Sequence, residues 1–447
     1  MQEIGGNQHS QADKEEAVKV SGQEKMMGRR IQWLDRLLFC PEDQVQRQAM
    51  IWNTILSFLN ALQSALLLFV VSRTLSDVDI GIFSFAFSVA YLMIMIGNYG
   101  VRNYQATDVK VRFGFKEYLK HRVMTCIIMT ICSVGYVVVR GYDSHKAWVV
   151  LLCCILKVIE SVENVYHSEY QRGMRLEVAG KIGTVRFICC MIAFLITLFA
   201  TKNLVSSFLV MDIVALLMLI IPIIYTYPKV TIAENSNADE WWRIFFKCFP
   251  LFLSSFFNIY ICNASKYAID KYSDEVVQGY YGMIFMPVFV INLISNCIYG
   301  PHLVGLAKYW ADNNIPPLKR FVRNQIIIVI IVTLVIIVGA YICGIQVMSL
   351  FFGKDLKPYK MNLLILLLGG GMTALVDFMN NIITVIRKQK ILVWVYGFIS
   401  LASFIITPIF VKNWGIDGAA NSYTLVLAIQ AVVMTIYVLW AIKSKKS

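Results

Sequence analysis

WNTILSFLNALQSALLLFVVSRTLSDVDIGIFSFAFSVAYLMIMIGNYGVRNYQATD, residues 52–108, reads as two apolar helices joined by a short polar corner. The corner is Arg73-Thr74-Leu75-Ser76-Asp77-Val78-Asp79-Ile80-Gly81. Some two hundred residues on, Lys271-Tyr272-Ser273-Asp274-Glu275-Val276-Val277-Gln278-Gly279 repeats its plan: a basic residue, Ser-Asp, a glycine, then an apolar helix. About six apolar spans follow the start of each copy. Two similar lobes of membrane helices are the plan of transporters that alternate between two openings.

Composition agrees. Of the 447 residues 58% are hydrophobic and 15% charged, against about 25% charged in soluble domains. A hydrocarbon core about 30 Å thick needs roughly 20 apolar residues per helix. Twelve stretches of about that kind are found: 49–72, 80–101, 123–139, 147–166, 182–200 and 204–225, then 247–268, 276–298, 325–343, 361–386, 391–411 and 415–442. The expected fold is therefore an all-α polytopic membrane protein of about twelve transmembrane helices in two pseudo-symmetric six-helix lobes around a central cavity.

The expected segments are a polar cytoplasmic N-terminal segment 1–48, a first lobe 49–228, a cytoplasmic linker 229–246, a second lobe 247–442 and a basic tail 443–447. The start of the chain carries no short apolar run with a small-residue cleavage site, so no signal peptide is expected. Residues 29–38 suit either an amphipathic helix on the membrane surface or a lead-in to the first span.

The basic residues test the map. With both termini in the cytoplasm, the cytoplasmic segments hold 30 of the 41 Lys and Arg, the outer connections hold 10, and Lys157 lies inside a span. The positive-inside rule asks for such a bias. It also accounts for the net charge of +13 without nucleic acid. The eleven cysteines, including the adjacent pairs Cys153-Cys154 and Cys189-Cys190, form no metal or redox pattern and read as small buried hydrophobes.

Ionisable groups in hydrocarbon cost at least about 2.5–3.5 kcal/mol each and mark work or pairing. In the fourth span Lys157, Glu160, Ser161, Asn164, His167 and Ser168 share one face, with Glu163 at its margin. Such a stripe is either a wet wall of a cavity or a self-neutralising Lys157–Glu160 pair that ties helices together. Asp212 and Asp377 sit near mid-span in the sixth and tenth helices. With Glu160, they could bind a coupling H⁺ or Na⁺, or could hydrogen-bond a neighbouring helix. Asn53, Ser57, Asn60 and Ser64 line one face of the first span, with Gln63 beside them, and Ser254, Ser255, Asn258, Asn263 and Lys266 echo them in the seventh. These faces suit a hydrophilic cleft or polar contacts between packed helices. Arg73, Lys266 and Arg102 could bind phosphate oxygens or simply snorkel to an interface. Pro222, Pro250, Pro287, Pro408 and Gly369-Gly370-Gly371 mark expected kinks.

Two stretches carry a resemblance. One runs from Trp52-Asn53-Thr54 through Ser72-Arg73-Thr74-Leu75 to Asn98-Tyr99-Gly100-Val101-Arg102-Asn103. The other runs from Phe252-Leu253-Ser254-Ser255 through Asn263-Ala264-Ser265-Lys266 to Gly279-Tyr280-Tyr281 and Phe285-Met286-Pro287. From Trp52 to its end the chain resembles the polysaccharide transport family, Wzx-like flippases of the MOP superfamily, which also holds MATE and MurJ-type transporters. The motifs are diffuse and do not specify a glycan. The resemblance implies alternating access and no enzymatic step. Its implied cargo is a polyprenyl-diphosphate-linked oligosaccharide carried outward across the bacterial cytoplasmic membrane for O-antigen, capsule or exopolysaccharide. It implies membrane lipids and polysaccharide polymerase or assembly proteins as partners, no nucleic acid, and no cofactor beyond a coupling ion. Arg73, Lys157 and Lys266 are candidates by position to grip the diphosphate, with Arg102, Asn60 and Asn258 as further substrate contacts. A drug or cation antiporter of the same superfamily would want an acidic, aromatic cavity. A membrane glycosyltransferase or polymerase would want a catalytic cluster and larger outer loops.

Overall fold

The computed structural model describes residues 35–106, 108, 112–230 and 241–445. Every regular element among them is helical. The first lobe holds α1 (Glu42–Thr74), α2 (Asp77–Asn98), the short α3 (Val101–Ala106), α4 (Phe115–Arg140), α5 (Ser144–Arg172), α6 (Leu176–Thr201) and α7 (Leu204–Val230). The second holds α8 (Trp241–Tyr272), α9 (Glu275–Phe285), α10 (Val288–Tyr299), α11 (Leu303–Ala311), α12 (Ile315–Gly339), α13 (Ile345–Phe352), α14 (Lys360–Val385) and α15 (Lys390–Ser444).

Ten helices among the described residues are long and apolar enough to cross a membrane. Two features reconcile ten with the twelve expected spans. Helix α5 has the length but carries too many charges to be counted among them. Helix α15 runs 55 residues and is two spans, because Gly415 at φ 54°, ψ −127° breaks its helical path. The eighth span is α9 plus α10, divided at Pro287. The ninth is α12 and α13, joined by the π-helical Ala340–Gly344.

The other expected kink positions leave their helices continuous. Pro222, Pro250 and Pro408 lie inside continuous helices. Gly369, Gly370 and Gly371 stay helical and buried in α14. A Cβ there would come within 2.6 Å of Tyr423, 3.1 Å of Val288 and 2.4 Å of Thr333 respectively. These glycines make room for three neighbouring helices rather than a hinge.

Of the 29–38 segment, residues 35–38 are helical and the rest lies outside the described residues, as do 231–240 of the linker and the last two residues of the tail. Asp35 anchors that turn, accepting from Lys229 Nζ at 2.5 Å and Tyr225 Oη at 2.9 Å.

Helix α2 sits at the centre. From Ile80 to Ala90 every side chain is buried, and α2 packs against α4 and α5 of its own lobe and α8 and α9 of the other. By contrast α12 exposes Ile327, Ile330, Ile331, Leu334 and Val335 on one side, as a helix facing lipid does. Both corners found in the sequence are capped turns. Ser76 Oγ accepts from the Asp79 amide at 3.2 Å, and Asp274 Oδ1 accepts from the Val277 amide at 2.8 Å. Each cap satisfies an amide that the helix start leaves unpaired. The caps also correct the register: Ser76 corresponds to Asp274, Asp77 to Glu275 and Gly81 to Gly279.

Candidate functional site

The inner half of α5 is a ladder of compensated charges. Lys157 Nζ lies 2.7 Å from Glu160 Oε2 and 2.9 Å from Gln63 Oε1 of α1, while Gln63 Nε2 donates back to Glu160 at 3.3 Å. One turn on, Glu163 takes Arg186 of α6 in both oxygens at 2.9 Å, with His167 at 3.6 Å. Further along, Glu169 pairs with Arg172 at 2.7 Å and accepts from Gln105 at 3.1 Å. Lys157, Glu163, Glu169, Arg172 and Arg186 are all buried. In this conformation the ladder ties α5 to α1, α3 and α6, so the Lys157–Glu160 pair has the self-neutralising form.

Two cations of this interior are counted with the cytoplasmic basic residues in the sequence tally, though the span 182–200 already contains Arg186. Arg186 lies ten residues inside α6. Arg122 lies inside α4, fully buried, and donates to the Gly97 carbonyl, Asn98 Oδ1 (3.2 Å), Ser161 Oγ (3.0 Å) and Asn164 Oδ1 (3.4 Å). These partners are all uncharged. The only sequence signals were an unpaired Glu163 and the polar set Asn98, Ser161 and Asn164.

Asp212 of α7 is 5% exposed, and neither oxygen has a hydrogen-bond donor among the described residues. In the second lobe Asp377 of α14 accepts from Asn292 of α10 at 2.6 Å. Asn381, one turn on, donates to Tyr299 Oη at 3.2 Å, and Tyr299 donates to Asn296. A carboxylate is thus set among amides and a phenol, all oxygen or nitrogen ligands.

The other expected site residues are spread along the bundle. Lys266 of α8 is 7% exposed and lies 4.9 Å over the Phe285 ring; no acidic partner stands within salt-bridge distance among the described residues. It is six residues from the end of α8, about 9 Å below it at 1.5 Å per residue. Asn258 is half-buried and Asn60 exposed on the polar faces of α8 and α1. Arg102 is exposed on α3 at the inner end. Polar contacts between helices account for part of those faces: Asn53 donates to the Leu176 carbonyl at 3.0 Å and Ser265 to the Ala419 carbonyl at 3.0 Å. Arg73 stands apart from this interior, at the outer end, donating to the carbonyls of Leu350 and Phe351 in the second lobe.

That end of the bundle, expected to face outward, is where the two sequence corners meet. A Cβ on Gly81 would lie 1.7 Å from the Glu275 carbonyl oxygen, and one on Gly279 would lie 3.1 Å from the Gly81 amide. Around this crossing run two matched ion pairs. Lys146, after the third span, reaches Glu275 at 3.0 Å; Lys354, after the ninth, reaches Asp77 at 2.5 Å. Each joins a lysine of one lobe to the first helical turn of the other. Asp270 is held by Lys146 at 2.6 Å, Tyr142 at 2.6 Å and Arg140. The outer ends of the lobes are therefore closed by polar contacts around a glycine crossing. At the inner end the lobes touch through Tyr99, stacked on Phe252 at 4.6 Å and close to Phe245 at 4.4 Å.

Comparison with known proteins agrees with this geometry. The chain is 21% identical over 384 residues to the capsular polysaccharide biosynthesis protein CapF of Staphylococcus aureus, covering 83% of this chain and 93% of that one. Its fold is similar to a multidrug resistance MATE family transporter of the MOP superfamily solved inward-facing, at TM-score 0.66 and 12% identity, covering 86% of this chain and 95% of that one. It is also similar to the lipid II flippase MurJ in an inward closed conformation, at TM-score 0.67 and 13% identity, covering 89% of each. The fold is thus the multi-pass helical one shared by MATE and MurJ transporters. The sequence profile of the polysaccharide biosynthesis proteins matches residues 47–303, more than half of the chain. This chain belongs to the polysaccharide biosynthesis protein family.

Proposed function

We propose that the protein is a flippase. It moves a polyprenyl-diphosphate-linked oligosaccharide repeat unit from the cytoplasmic to the outer leaflet of the bacterial cytoplasmic membrane by alternating access, with both termini cytoplasmic. The observation that carries this reading is the closure of two lobes at their outer ends by separable polar contacts, in a member of a polysaccharide biosynthesis family. The pairs to Glu275 and Asp77, whose carboxylates are about a third exposed, are weak enough to exchange for hydration, while the Lys146–Asp270 pair is buried and is the stronger part of the seal. The relation to CapF and the fold shared with a lipid II flippase support a lipid-linked cargo. The same comparisons favour transport over catalysis.

In this reading Lys266, without an acidic partner, is the cation freest to take a diphosphate oxygen. Arg102 meets the headgroup at the inner mouth. Lys157 joins when the substrate displaces Glu160, and Arg73 is released from its two carbonyls as the outer end opens. Asn60 and Asn258 face sugar hydroxyls. Glu160, Asp212 and Asp377 are the ion-coupling groups. Asp212, buried with no donor to either oxygen among the described residues, is the proton carrier of this reading. Asp377, with amide neighbours, could instead take Na⁺. Polysaccharide polymerase or assembly proteins would receive the product.

A MATE-like cation-coupled antiporter is the second reading, favoured by the buried carboxylates and the shared fold. The deciding experiment follows the sidedness of the lipid-linked oligosaccharide in cells lacking the protein, complemented with wild type, R73A, K157A or K266A. Substrate held on the cytoplasmic face and cleared by wild type supports the flippase. Normal sidedness without the protein removes it and makes drug efflux the next assay.

A further inference from the structure

The strongest basic feature outside the lobe interior is a groove at the inner end of the second lobe. It is a cavity of about 1010 Å³ between the first turns of α12 and the last turns of α15. Lys319, Arg320 and Arg323 line it from α12 and Lys443 from α15. All four are exposed. None has a hydrogen-bond acceptor or an acidic partner among the described residues, and no acid lines the groove. Its floor is apolar, with Ile442 buried and Leu439 partly covering it.

The groove is a fixed shape. Lys445 donates to the Trp310 carbonyl and lies 3.8 Å over the Trp310 ring. That contact pins the end of the chain to α11, beside the start of α12. The first turn of α12 carries Pro316 and Pro317, which have no amide hydrogen, so fewer backbone donors are on offer there and the basic side chains supply most of them. Arg323 starts a row of exposed residues at helical spacing, continued by Ile327, Ile331 and Leu334. The facing helix exposes Val432, Ile436 and Leu439. A cationic end of the groove thus adjoins apolar, exposed faces of the two helices that line it.

We propose that this groove binds a two-phosphate anionic phospholipid, of the diphosphatidylglycerol type, with its headgroup on Lys319, Arg320, Arg323 and Lys443 and its acyl chains along α12 and α15. Guanidinium groups bind phosphate oxygens bidentately and ammonium groups act as point charges. Basic pockets between transmembrane helices at the cytoplasmic surface select such headgroups. Four uncompensated cations suit two phosphates better than one, and the cavity is at the upper end of the range for small-ligand sites, about 300–1,000 Å³. The groove lies on the outside of the second lobe, since α12 packs on α10, α11 and α14 of that lobe. It is a site for a resident lipid rather than for cargo passing between the lobes. The flippase reading enters only in naming the leaflet.

The test is native mass spectrometry of the purified full-length protein titrated with diphosphatidylglycerol, phosphatidylglycerol or phosphatidylcholine, with inorganic pyrophosphate as competitor. Wild type is expected to retain diphosphatidylglycerol in preference to phosphatidylcholine by about tenfold or more, and the K319A/R320A/R323A/K443A variant to lose that preference. The charge-keeping variant K319R/K443R should retain it. Equal retention of phosphatidylcholine by wild type overturns the proposal, as does undiminished preference in a folded quadruple variant. Displacement of the lipid by pyrophosphate alone would make the groove a free-anion site and overturn the lipid assignment. Binding is read without transport, so failure here leaves the flippase reading standing, and failure of flipping leaves this one standing.

Discussion

At the scale of single residues, the charges inside the first lobe are stable because nearly all are answered. Removing one partner of a buried pair leaves an uncompensated charge, a loss of about 3–5 kcal/mol. Arg186→Met is therefore expected to lower the thermal unfolding temperature of the purified protein far more than the double change Arg186→Met with Glu163→Gln. A double-mutant cycle on unfolding measures the difference, and additive losses would refute the pairing. Gly81 makes a second case. Alanine there must push the Glu275 backbone away, at a cost of about 1–3 kcal/mol for overpacking. Gly135, with nothing within 4 Å of an added Cβ, is the matched control. Gly81→Ala should destabilise and Gly135→Ala should not. Lys157, Glu160, Asp212 and Asp377 could be picked out of the sequence because a charge inside an apolar run is visible by itself. Arg122 and Arg186 could not, because each lies near a span end, where a basic residue reads as a loop charge. Their helices run on past the apolar part, and only the fold places them among polar partners.

At the scale of elements, the period of the apolar residues carried most of the fold. All twelve expected spans have a helical counterpart, including the halves of α15 on either side of Gly415. The corner repeat carried further than its short match suggested, since the two corners pack against one another. What the sequence hid was the pairing across that contact. Lys146 and Lys354 sit in short connections, and nothing along the chain links them to Glu275 and Asp77. The expected kinks at Pro222 and Pro250 fall inside helices that run on, as a proline in a membrane helix is tolerated where neighbours absorb the freed carbonyl. The outer seal yields its own prediction. Replacing Lys146 with Met removes one cation from both Asp270 and Glu275, and Lys354→Met removes the matching contact to Asp77. The pair of changes should shift the lobes toward an outer-open state. Spin labels on the exposed Val78 and Tyr272 should report a longer distance in the double variant than in wild type. An unchanged distance distribution would show that the glycine crossing, with the remaining Arg140–Asp270 and Arg73 contacts, holds the seal without the two lysines.

At the scale of the whole molecule, the flippase reading requires a force that drives the proposed cargo in one direction. A diphosphate crossing outward moves with an inside-negative potential and gains about 2.3 kcal/mol per charge per 100 mV. One full charge would thus bias the leaflet ratio by roughly fiftyfold at 100 mV. The gain vanishes to the extent that bound cations travel with the phosphates. The first lobe's charges are tied to one another in the ladder on α5, so they are poorly placed to travel with the substrate. Lys266 is the cation without an acidic partner, and at most it cancels part of the diphosphate during the crossing step itself. Part of the potential should therefore remain available, with Asp212 adding a proton where that part is insufficient. In proteoliposomes loaded with lipid-linked oligosaccharide, an imposed inside-negative potential should raise the outer-leaflet fraction, and reversing its sign should lower it. Lys266→Met should change how fast that fraction is reached and leave its final value unaltered, because a fixed side chain returns with the protein. Asp212→Asn should leave the response to potential intact and abolish any response to a pH gradient. A distribution indifferent to potential in both wild type and Lys266→Met would mean that the phosphates cross fully neutralised, and the driving force would then have to come from a coupling ion alone.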